Sequence, residues 1–94
     1  MPIFTFPDDA VWNETARAVE FGIEIGEYRG RVSVPRQVFQ ALLSMSPVPE
    51  RCLEAYHLER ARFERAAAHK ITQRRLTDDG NVELTLKDLR DGAA

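Results

Sequence analysis

Ninety-four residues, 44% hydrophobic and 30% charged with a net charge of −2, describe one small domain, residues 1–94, built around a single core. That composition excludes a disordered chain, no apolar run approaches the roughly 20 residues of a bilayer span, and the overall charge gives no general pull toward nucleic acid. Cys52, the one cysteine, has no partner for an intramolecular disulfide and suits a reducing cytoplasm, while the opening MPIFTFPDD has neither the basic nor the long apolar region of a signal peptide.

Taken in chain order, Ile3, Phe4 and Phe6 predict one brief strand that Pro7-Asp8-Asp9 ends, and the segment around Trp12 carries weak helical signs with Asp9 as a cap. RAVEFGIEI, residues 17–25, is the clearest strand: Val19, Phe21, Ile23 and Ile25 fall on one face and Ala18, Glu20, Gly22 and Glu24 on the other. Gly26-Glu27 is a tight turn, and YRGRVSV returns with Tyr28, Val32 and Val34 inward, completing an antiparallel hairpin. Pro35 opens a short amphipathic helix whose stripe is Val38, Phe39, Leu42 and Leu43. SMSPVP breaks it, and Ser46 or Pro49 starts a long helix that runs without Gly or Pro to about Thr72 or Arg75. TDDGN is a turn, NVELT a short strand, and Thr85 with Asp88 begins a final helical turn. The expected fold is α+β: a small antiparallel sheet built on a hairpin, packed against one short and one long helix, with a short C-terminal strand and helical turn.

The order FPDDAVW, AVEFGIEIG, VPRQVFQALL, AYHLERARFERAAAHKI and GNVELTLKDL resembles the bacterial family called domain of unknown function 1488 along nearly the whole chain. Its motifs define a fold rather than a chemistry. The resemblance implies a small cytoplasmic bacterial protein with that shared fold, it implies no activity, and it transfers no functional residue.

Enzyme signatures are thin, and no catalytic residue, cofactor or metal is expected. Gly22, Gly26 and Gly30 lie along strands and a turn rather than before a helix, so they form no phosphate cradle. On one helix His57 and His69 stand about 18 Å apart and about 120° around the axis, which forbids a shared ion. Cys52 has no neighbouring base, and Asp78-Asp79-Gly80 is only a fragment of a calcium loop.

Charge is concentrated in the long helix. Residues 50–76 hold seven basic groups against four acidic ones, a net of +3 that leaves −5 for the rest of a chain totalling −2. Attraction between the helix and an acidic sheet edge explains such a split, and so does a basic binding face. At 100° per residue, Leu53, Tyr56, Phe63, Ala67 and Ile71 form the core stripe, with Arg60 inside it. Three readings of Arg60 stand open: methylenes along the core with the head on a carboxylate or carbonyl, stacking on Tyr56 or Trp12, or a ligand-reading arginine in a cleft. Glu64 is a candidate partner on the same helix. The opposite side collects Arg51, Arg62, Arg65 and His69 around Leu58, the candidate binding face. It lacks the aromatics and the Asn or Gln pairs that read bases, so it supports nucleic-acid binding only weakly.

Two functions follow as expectations. One is a non-catalytic module that self-associates or docks to another cytoplasmic protein through the long helix. The other is a nucleic-acid-binding or regulatory accessory protein. A helix of about 26 residues is about 39 Å long, more than a domain of this size can cover, so its overhang predicts a homodimer.

Overall fold

The alternation between residues 18 and 35 builds the centre of the molecule. The computed structural model describes residues 3–44 and 47–92. Strands β2 (Ala18–Ile25) and β3 (Tyr28–Pro35) pair antiparallel along their whole length, Ile25 opposite Tyr28 and Ala18 opposite Pro35. Gly26 turns the chain between them at φ 58, a left-handed value that costs glycine little. The register puts Val19, Phe21, Ile23, Val32 and Val34 on one face, all fully buried.

The other strands flank this pair in the order β1-β2-β3-β4. Strand β1 (Val11–Asn13) runs antiparallel to β2, with Trp12 opposite Val19 on the core side. Here the helical expectation for this segment fails. Three ladder positions along β2 and burial of the indole outweigh weak local helical signs. The brief strand expected at Ile3–Phe6 reduces to one bridge, Thr5 to Glu24, because Pro7 follows at once; Phe4 and Phe6 still pack on the core. Strand β4 (Val82–Glu83) lies parallel to β3, so the sheet is mixed rather than purely antiparallel.

Helix α1 (Arg36–Leu43) buries Val38 and Phe39 as its stripe requires. The long helix is corrected to two: α2 (Pro49–Leu58) and α3 (Arg60–Thr72). Pro49 is the first residue of α2; Ser46, the other start considered, lies outside the described residues. Glu59 leaves helical geometry at φ −113, ψ 24, with neither Gly nor Pro nearby. A straight helix over 49–72, about 36 Å, would run nearly the full length of a molecule measuring 38 × 28 × 24 Å. With the break, α2 lies against β1 and β2 while α3 lies against β4 and the C-terminal helix α4 (Leu86–Gly92). The overhang expected of a single helix does not arise, and the homodimer loses that support.

Aromatic rings join the layers. Phe21 of β2 meets Tyr56 of α2 at 4.8 Å, Tyr56 meets Phe63 of α3 at 5.6 Å, and Phe63 meets Phe39 of α1 at 5.6 Å. Burial pushes the Tyr56 phenol up to about 12, so it stays neutral. At the far end, Lys70 of α3 donates to the Glu83 carbonyl at 2.6 Å and to Asp88 at 2.7 Å. Asp88 also accepts the Thr85 N–H at 2.8 Å while its own N–H donates to the Thr85 hydroxyl, a reciprocal cap that starts α4.

Burial alone would raise the Asp88 pKa, but Lys70 and the Thr85 donors outweigh it and hold the carboxyl below its ordinary 3.8. A depressed folded-state pKa contributes stability above pH 3.8 that is lost as pH falls through the folded value. Asp88→Asn is expected to lower the unfolding free energy by about 1–3 kcal/mol at pH 7. Denaturant titrations at pH 7 and at successively lower pH check this: the gap between wild type and variant should narrow below pH 3.8.

Candidate interaction surface

Where α2 stops, its last turn faces the end of α1. Leu42 and Leu43 of α1, Ala55 and Leu58 of α2, Glu59 at the break and Arg62 of α3 line an open recess of about 190 Å³. Leu58 is 79% exposed, the most exposed of these apolar side chains, and Leu43 is 37% exposed. Single exposed leucines are ordinary on protein surfaces. Two leucines at the mouth of an apolar recess, with a cation and an anion at its rim, form a more specific feature.

The break at Glu59 also redistributes the sequence-predicted face. Leu58 and Arg62 come together in the recess. Arg51, Arg65 and His69 do not line it: Arg51 lies exposed 3.7 Å from Glu54, and Arg65 and His69 are exposed on α3. Arg62 is half-buried, and its Nε is the buried side-chain nitrogen or oxygen without a hydrogen-bond partner among the described residues. Such a group is costly to leave unmet. Leu42, Leu43, Ala55 and Glu59 were absent from the predicted face. Leu42 and Leu43 were visible as part of an apolar stripe, but nothing in that stripe separates its buried end from its exposed one.

Arg60 lies on the other side of the break. Its Nε donates to Glu64 at 2.7 Å, one terminal nitrogen approaches Asp8 at 3.3 Å, and the other donates to the Phe6 carbonyl at 3.3 Å. The side chain is 34% exposed, with its head on two carboxylates and a carbonyl. The Glu64 bond reinforces the guanidinium charge. Arg60 thus ties the N-terminal segment to α3. On the open sheet face Asp9 accepts the Gly22 N–H at 2.9 Å and Arg31 at 2.7 Å.

The remaining reactive side chains are dispersed. Cys52 is fully buried and burial pushes its thiol up, with Arg36 pulling the other way. His57 and His69 occupy different helices. Among the described residues no three His, Cys, Asp or Glu side chains converge as metal ligands would.

A family model described as "Protein of unknown function (DUF1488)" matches residues 4–84. The chain belongs to the DUF1488 family. That match takes in the whole sheet, α1, α2 and α3, and therefore every residue lining the recess. A crystal structure of a DUF1488 protein of unknown function from Shewanella loihica PV-4 superposes with a TM-score of 0.79, covering 86% of this chain and 90% of that one at 17% identity. This likeness establishes the fold. A search of curated proteins finds no match.

Arg60→Ala removes two contacts between the N-terminal segment and α3 and one within α3, and is expected to lower the melting temperature by several degrees. Arg65→Ala, on the exposed side of the same helix, should leave it nearly unchanged. Calorimetry of the two variants checks this, and equal small shifts would contradict a structural role for Arg60.

Proposed function

We propose that this protein is a small non-catalytic interaction module of the bacterial cytoplasm that acts as a homodimer through the Leu58 recess. The observation carrying this reading is the exposed Leu58 beside a recess rimmed by both Glu59 and Arg62. A two-fold contact brings the same patch of two copies together, so it requires a surface complementary to itself. Here Leu58 of each copy enters the other's recess, and Glu59 of one copy meets Arg62 of the other. The terminal guanidinium nitrogens of Arg62, rather than its buried Nε, make that pairing. The buried, unpaired Cys52 is compatible with a reducing compartment.

Sedimentation equilibrium of the wild type should return twice the 10.7 kDa chain mass at high micromolar concentration. Leu58→Glu should return 10.7 kDa. Glu59→Arg and Arg62→Glu should each weaken association, and the double reversal should restore it. A wild-type mass of 10.7 kDa throughout would overturn the dimer. Retarded migration with DNA or RNA at low salt, abolished by salt and by Arg62→Glu with Arg65→Glu, would favour the nucleic-acid reading of the helix face instead.

A further inference from the structure

On another part of the surface, the turn after β1 meets the start of α1. The Arg17 carbonyl accepts the Arg36 N–H at 3.0 Å, which pairs the main chains of the two arginines. Both line each of two adjoining cavities. One, about 290 Å³, is completed by Ala16, Pro35 and Gln37 and contains no carboxylate. The other, about 270 Å³, is completed by Trp12, Glu14 and Pro49. Arg36 donates its Nε–H to the Pro47 carbonyl at 3.1 Å, which directs the guanidinium, and its terminal nitrogens have no hydrogen-bond partner among the described residues. Glu14, the acid in the second cavity, already accepts the Trp12 indole N–H at 2.8 Å.

Arg29, Arg31, Arg51, Arg60 and Lys70 each have a carboxylate partner. Arg17 and Arg36, like the exposed Arg65, Arg74 and Arg75, have none among the described residues, and what sets them apart is that both line the same two cavities. Arg17 is exposed and Arg36 half-buried, and both border the cavity that contains no carboxylate. Two guanidinium forks offer donors in two planes, which suits the tetrahedral oxygens of a phosphate better than a planar carboxylate, for which one fork suffices.

We propose that this trough binds a small phosphate monoester. The phosphate lies between Arg17 and Arg36 in the carboxylate-free cavity. The organic part runs into the second cavity along Trp12 and Pro49, where the free oxygen of Glu14 accepts from a hydroxyl or amine. The site is independent of the Leu58 recess and involves no chemical step.

Trp12 is the single tryptophan, so its fluorescence reports on the second cavity directly. Titration with ribose 5-phosphate at constant ionic strength should change the emission saturably, inorganic phosphate should bind more weakly, and ribose or chloride should have no effect. Arg17 sits at φ 52, a conformation Asn tolerates, so Arg17→Asn removes the charge without a new backbone penalty. That variant, with an unchanged far-ultraviolet spectrum, should raise Kd at least about tenfold, and Arg17→Lys should recover part of the loss. Absence of saturation, an equal response to chloride, or an unchanged Kd in Arg17→Asn would overturn the site. Equal affinity for inorganic phosphate and ribose 5-phosphate would overturn the placement of the organic part against Trp12.

Discussion

Tyr56 holds the two halves of the molecule together, lying 4.8 Å from Phe21 on the sheet and 5.6 Å from Phe63 on α3, with Phe39 of α1 beyond. These four rings are fully or almost fully buried, and each comes from a different element. Truncating such a ring typically costs about 3–5 kcal/mol, a large share of the stability of a domain this small. The rings set how closely α1, α2 and α3 approach the sheet. The 49–72 segment follows the sheet in two pieces, α2 against β1 and β2 and α3 against β4 and α4, with the break at Glu59 between them. Leu58 and Arg62, four residues apart across the break, line one recess with Leu42 and Leu43 of α1.

Polar ties secure the periphery. Arg60, braced by Glu64 of its own helix, fastens the N-terminal segment to α3 through Asp8 and the Phe6 carbonyl. Lys70 fastens β4 and α4 to the other end of α3 through Glu83 and Asp88. The concentration of positive charge in residues 50–76 is thus partly spent inside the molecule, on carboxylates far away in sequence. Arg51 is compensated locally by Glu54. Arg65, Arg74 and Arg75 stay exposed, while Leu58 centres a recess with one charge of each sign.

The legible part of the fold is the part governed by local periodicity. Alternation from Ala18 to Val34 is enough to read the hairpin and its buried face, and the Thr85–Asp88 spacing is enough to read the cap of α4. The break at Glu59 has no Gly or Pro beside it to read, and it separates two helices that pack on different elements. Trp12 misled for a related reason: its strand exists only because β2 offers an edge beside it. In the candidate surface, Leu58 and Arg62 were visible as neighbours on a helix, whereas Leu42 and Leu43 reach them through tertiary packing. Arg60 stood out as a misfit in an apolar stripe, yet Asp8 and Phe6 lie 52 and 54 residues away, beyond any spacing rule.

Self-association through the recess is the central functional claim, and contacts between the two copies test it most directly. An isotope-filtered NOE experiment on a mixture of labelled and unlabelled chains reports only protons close to one another across copies. Cross-peaks from the Leu58 methyls of one chain to the Leu43 and Ala55 methyls of the other are the predicted result. A spectrum with no intermolecular cross-peaks at Leu58, or with cross-peaks only at residues elsewhere on the surface, would contradict it.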